Sequence, residues 1–117
     1  ETGLHLPVMA LWFLYDEDEE SGEIHVRGLI GGTVFENILT DHKMAVELCW
    51  RTSCKVKRKG YGWELLAMFI EWAVSAGATR IMTHRFLSNS TEADERFDVK
   101  IKKMGFSPSG CEYFMDI

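Results

Sequence analysis

Two features of this sequence are of a kind that does chemistry. The first is the run Arg51-Thr52-Ser53-Cys54-Lys55-Val56-Lys57-Arg58-Lys59-Gly60-Tyr61-Gly62, in which five Lys or Arg side chains precede two glycines spaced i, i+2. An alternating apolar stretch at 44–50 enters this run and a stretch of helical period at 63–76 leaves it, so it is predicted as a strand-to-helix turn. A helix start offers unpaired N–H groups and the positive end of the helix dipole, and glycine lets a ligand reach the backbone. Together these make a phosphate cradle. The second feature is Glu47, a carboxylate in the middle of an otherwise apolar strand. Held against apolar neighbours, it would have a raised pKa and come nearer the useful range for a general base; equally, it could pair with a Lys or Arg on an adjacent strand and be structural.

The elements that must hold these groups are read from periodicity. Residues 8–15 read as a strand, with a short buried helix as the alternative, and the acidic segment 16–23 reads as an exposed hairpin connection or as a field for a cationic substrate. Residues 24–35 resume a strand interrupted by Gly28, Gly31 and Gly32, glycines that suggest a bulge, a bend or a close backbone contact. Strict alternation in 44–50 puts Met44, Val46, Leu48 and Trp50 on one face and Ala45, Glu47 and Cys49 on the other. The helix that follows carries a stripe of Trp63, Leu66, Ala67, Ile70, Ala73 and Val74, with Gly77 as its stop. Residues 79–86 are a strand expected to be buried, so His84 reads as a satisfied core histidine in preference to a catalytic one. A second helix is capped within 88–91, buries Phe97, Ile101 and Met104 and ends at Gly105, before a last short strand at 113–117. The architecture is α/β: an antiparallel meander, then a βαβ unit with parallel strands, a helix and a closing strand.

The chain of 117 residues suits one domain, with 46% hydrophobic residues and a net charge of -5. An acidic background disfavours a general nucleic-acid binder and makes the basic run a local exception suited to a small anion. Cys49, Cys54 and Cys111 show neither disulfide nor metal-ligand spacing, a covalent acyl-enzyme on Cys49 or Cys54 lacks a matching base, and a reduced cytosolic setting is expected. The apolar run at 7–15 is too short to span a membrane. Glu1-Thr2-Gly3 could be a cloning remnant and is set aside.

The run Lys57-Arg58-Lys59-Gly60-Tyr61-Gly62 resembles the (Gln/Arg)-x-x-Gly-x-(Gly/Ala) signature of the GCN5-related N-acetyltransferases (GNAT), with Lys57 where the family has Arg or Gln. The resemblance continues through Trp72-Ala73, Gly77-Ala78 and the Lys103-Met104-Gly105-Phe106 junction, covering residues 44–117. Glu47-Leu48-x-Trp50 and the tail Tyr113-Phe114-Met115-Asp116-Ile117 look most like small acetyltransferase-like proteins of bacteriophages, which would place the protein in the cytoplasm of a bacterial host. The resemblance implies a GNAT-like mixed sheet in which Lys57, Arg58, Lys59, Gly60, Tyr61 and Gly62 bind the pyrophosphate of acetyl-coenzyme A or another acyl-CoA. It also implies backbone N–H groups around Trp50, Arg51 and Thr52 for the oxyanion, and a cofactor contact near Asn89, whose Asn89-Ser90-Thr91 run otherwise reads as helix capping.

The chain departs from the family in two ways. It has little room for the usual N-terminal strand and helices, so a homodimer completing the acceptor pocket is one expectation. The other departure is Ile101, which stands where the family often has an acidic Tyr. The implied reaction is direct attack of an amine on the thioester, with Glu47 assisting the amine and Tyr113 or Tyr61 as the available phenols. The acceptor is a small amine, a protein lysine or, disfavoured by charge, a nucleobase. The rivals are a degenerate GNAT-fold assembly module and a polyanion-binding module gripping phosphates through Lys55–Lys59.

Overall fold

The computed structural model describes residues 8–39, 41–52, 60–84, 91–109 and 112–117. Among them are strands β1 (Val8–Glu17), β2 (Ile24–Glu36) and β3 (Lys43–Thr52), helix α1 (Tyr61–Ser75), β4 (Arg80–His84), helix α2 (Thr91–Lys103), β5 (Ser107–Ser109) and β6 (Glu112–Asp116). They build one sheet in the order β1-β2-β3-β4-β6-β5. β1, β2 and β3 run antiparallel, β3 and β4 are parallel, and β6 returns antiparallel to both β4 and β5. The predicted meander, βαβ unit, helix and closing strand are all present. β5 was not foreseen, because Ser107-Pro108-Ser109 has no strand pattern and takes its order from pairing with β6.

The acidic segment folds as a tight hairpin turn. The Asp18 amide donates to the Glu23 carbonyl at 2.8 Å, the Asp18 carboxylate accepts the Glu20 amide at 2.9 Å, and Gly22 takes φ +71°. Those backbone donors hold the Asp18 carboxyl below its ordinary range.

Both helices contribute to one core. Phe69, Leu65, Leu66 and Ala73 of α1 pack with Ile30, Val34, Ala45 and Ile81 of the sheet, and Ile101, Phe106 and Tyr113 close the other end. The α1 stripe differs from the predicted one: Leu65 and Phe69 are buried, whereas Ala67 is exposed and Val74 half exposed. The reason is across the interface. A Cβ on Gly32 would lie 2.5 Å from the Phe69 ring, so the largest apolar side chain facing the sheet fills the space that a glycine leaves, and the helix turns to suit it. On β1, Trp12 and Leu14 face α1 through edge-on contacts of Trp12 with Phe69 and Trp72. The alternate residues Leu11, Phe13 and Tyr15 are more than half exposed on the opposite face, beside Val26 of β2 and Leu48 of β3.

Glycine ends both helices as the sequence implies. Gly77 and Gly105 have φ of +83° and +102°, and the residue after each donates back into the helix, Ala78 to Ala73 at 3.0 Å and Phe106 to Ile101 at 3.2 Å.

Candidate active site

The site begins where two parallel strands part. Pairing of β3 with β4 covers Met44, Ala45 and Val46 opposite Arg80, Ile81 and Met82, and goes no further, although β3 continues to Thr52 against β2. Beyond Val46 the strands form a fork, and among the described residues no strand pairs with the edge of β3 that faces β4.

Glu47 stands at the base of that fork. It is buried, at 4% exposure, and its two oxygens reach across to β4 where the backbone ladder has stopped. Oε1 accepts the Thr83 hydroxyl at 3.0 Å, and Oε2 lies 3.8 Å from His84 Nδ1. Neither an Arg nor a Lys is its described partner. Burial raises the carboxyl above its ordinary value, opposed by the Thr83 hydroxyl and by His84.

The sign of the pH effect follows. The folded chain holds the Glu47 proton more tightly than the unfolded chain, so this group costs nothing below the ordinary value of 4.5 and costs most above the raised folded value. Stability is expected to fall as pH rises through that window, and Glu47→Gln should flatten the fall. Urea melts between pH 4 and 8 measure the difference. Parallel curves for the two proteins would mean that the carboxylate is not desolvated.

A bulge sets the neighbours of Glu47. Gly31 pairs with Cys49 and Gly32 with Glu47, so Leu48 is an extra residue in β3. The strict alternation expected from the sequence is therefore broken. Trp50, predicted on the face opposite Glu47, turns to the helix side, where Ile30 pairs with it and its ring meets Trp63 and Phe97 at 5.5 and 5.8 Å. Its Nε1 donates to the Gly62 carbonyl at 3.1 Å. That bond and a tight approach of Gly62 to Thr52, where an added Cβ would lie 3.2 Å from the Thr52 methyl, join the end of β3 to the start of α1.

The start of α1 is the corner named from the sequence as an anion cradle. Gly60 is the N-cap in the left-handed region, φ +92°, with no side-chain cap on the helix, and a Cβ built there meets nothing within 4 Å. Tyr61 and Glu64 of this first turn have partners of their own, and residues 53–59, which lead into it, lie outside the described residues. Arg51 and Thr52 are exposed beside it. Lys57, Arg58, Lys59 and Asn89, named from the sequence, lie outside the described residues, as do Cys54 and Cys111.

Two other residues stand differently from the sequence reading or add to it. His84, expected in the core, is 46% exposed, because β3 has diverged by the time β4 reaches it. Tyr113 is buried, and its hydroxyl donates to Asp98 of α2 at 2.9 Å. Ile101 is fully buried, so the position of the usual family phenol is occupied by core. Sequence reasoning also missed Arg96 and Lys100. They face a hollow of about 510 Å³ with Trp63 and Phe97, next to the first turn of α1. Their i, i+4 spacing on α2 was the signal.

Comparison with known proteins bears on the family and the fold. A model of the acetyltransferase (GNAT) family matches residues 5–94. No curated protein matches the chain. Among solved structures, the anti-CRISPR protein AcrVA5 is 15% identical with a TM-score of 0.55, covering 89% of this chain and 98% of that one. The PaiA N-acetyltransferase of Thermoplasma acidophilum, solved with coenzyme A, is 17% identical with a TM-score of 0.57, covering 92% of this chain and 61% of that one. An acetyltransferase from Bacillus cereus is 20% identical with a TM-score of 0.55, covering 93% of this chain and 74% of that one. At these identities the likeness is one of fold. No helix among the described residues is long and apolar enough to cross a membrane.

Proposed function

The chain belongs to the GNAT acetyltransferase family, and from that premise we propose that it moves an acetyl group from acetyl-CoA to an amine. The observation that carries this reading is the fork, with a buried carboxylate at its base and a helix that starts on a left-handed glycine beside it.

When bound, acetyl-CoA supplies the activated acyl group. The chain's own residues do the rest. The α1 start, with Gly60, Tyr61 and Gly62 and the adjoining Lys57, Arg58 and Lys59, holds the pyrophosphate. Trp63 and Phe97, with Arg96 and Lys100, offer rings and cations to the adenine nucleotide end. Asn89 adds a contact from the approach to α2. Backbone N–H groups along β3 at Trp50, Arg51 and Thr52 meet the charge that grows on the thioester oxygen. Glu47 takes a proton from the attacking amine, and Thr83 fixes its orientation. Tyr113 is the proposed donor to the departing sulfur, for which its one O–H must turn away from Asp98.

The acceptor is a small-molecule or protein amine, drawn by the carboxylates at the fork. The reading places the protein with small phage-encoded members acting in the bacterial cytoplasm, and the size shared with AcrVA5 supports this compact form. A homodimer completing the acceptor side would form over the exposed apolar face of β1, where Leu11, Phe13 and Tyr15 are open.

Thermal melting tests the proposal. Coenzyme A at one hundred times its Kd is expected to stabilise the fold by about 2.7 kcal/mol. Acetyl-CoA with a panel of primary amines should then release free thiol. A stabilising shift without thiol release would favour a binding or assembly module. No shift, combined with steeply salt-dependent oligonucleotide binding, would favour the polyanion module.

A further inference from the structure

Resting on that reading, we propose that His84 is a relay residue that carries the amine's proton from Glu47 to Glu112 at the surface. Glu47 is buried and cannot discharge a proton to water by itself. One of its oxygens is engaged by Thr83, which leaves Oε2 as the oxygen that exchanges. His84 stands over that oxygen with Nδ1 at 3.8 Å, while its other ring nitrogen, Nε2, lies 3.6 Å from Glu112 Oε1. Glu112 is 45% exposed and lies opposite His84 in the β4–β6 ladder. The three groups therefore form a line from the buried fork to solvent, each on a different strand.

The chemistry of an imidazole fits the middle position. It accepts a proton at one nitrogen and releases one from the other without moving as a whole, and it does so in the neutral range where a carboxylate and bulk water need an intermediary. Both gaps slightly exceed hydrogen-bond length, and rotation of a half-exposed ring closes one or the other in turn. The balance is one proton. It leaves the ammonium form of the acceptor for Glu47 Oε2, passes to Nδ1 as Nε2–H is given to Glu112, and goes from Glu112 to water. Glu47 returns to the carboxylate, and the half-exposed His84 regains its Nε2–H form by exchanging Nδ1–H and Nε2 protons with water, ready for the next acceptor. Among the described residues the ionisable groups facing His84 are Glu47 from β3 and Glu112 from β6, one at each ring nitrogen.

The test is kinetic and uses the whole chain. Wild type, His84→Ala, His84→Gln and Glu112→Gln are compared for thiol release from acetyl-CoA with a reactive primary amine between pH 6 and 9, alongside coenzyme A affinity and melting temperature. His84→Ala and His84→Gln are expected to lower kcat about 10–100-fold, within the range of general acid–base effects. Their coenzyme A affinity and melting temperature should be unchanged and the acid limb of the rate profile altered. Added imidazole should restore a substantial part of the rate to His84→Ala, and Glu112→Gln should show a smaller loss. The relay is overturned if His84→Ala keeps its rate within threefold across the profile, or if its loss is untouched by imidazole and tracks a fall in melting temperature. Should wild type neither bind coenzyme A nor release thiol, the acyltransfer reading itself fails and the relay falls with it, an outcome visible before any variant is made.

Discussion

A Glu47→Gln variant is expected to lose about 10²–10⁴-fold in kcat with acetyl-CoA while keeping its affinity for coenzyme A. Glutamine preserves the length of the side chain and can still accept the Thr83 hydroxyl, so the fork keeps its shape. What it removes is the site that takes the proton. The loss should fall on kcat and kcat/KM alike, since the lost interaction is made in the transition state. Isothermal titration with coenzyme A and thiol-release kinetics measure the two quantities separately. A variant within tenfold of wild type would assign the carboxylate a structural place in the fork and leave the amine to reach the thioester already neutral.

The second large effect is on folding and comes from Gly32→Ala. A single methyl at Gly32 would come within 2.4 Å of the Val46 carbonyl and 2.5 Å of the Phe69 ring, separations that no real Cβ tolerates. The ring can shift a little, but the carbonyl belongs to the β3 backbone at the last residue before the fork. We expect a loss of about 3 kcal/mol, at the upper end of overpacking costs. Gly32 pairs with Glu47, so strain relieved by displacing β3 would also move the carboxylate away from Thr83. Urea denaturation gives the stability. Adding Phe69→Leu should recover only part of it, because the carbonyl contact remains. A Gly32→Ala protein as stable as wild type would mean that β2 and β3 lie further apart than described.

Much of this molecule is written in local pattern. The change from a period of two at 44–50 to a helical period after Gly62 reflects which residues can be buried in each geometry, and it places the strand-to-helix turn and its Gly60 and Gly62 correctly. The isolated carboxylate at Glu47 was visible for the same reason, since a charge within an apolar strand needs some account. The helix stops at Gly77 and Gly105 depend on a backbone angle that glycine adopts without strain, and so were legible one residue at a time.

What the sequence could not supply are relations between residues far apart in the chain. The extra residue Leu48 is recognisable only against the register of β2, yet it decides that Trp50 shares a face with the helices and anchors Gly62. The rotation of α1 toward Phe69 depends on the empty volume over Gly32, thirty-seven positions earlier. His84 and Thr83 meet Glu47 across a separation of more than thirty residues, and His84 is exposed because β3 leaves β4 after Val46. Sequence alone determined every element but the short β5, and which residue types were candidates for chemistry. Only the tertiary structure decided which of them meet, because periodicity is a property of one segment, while a bulge, a fork and a contact arise where two segments pack.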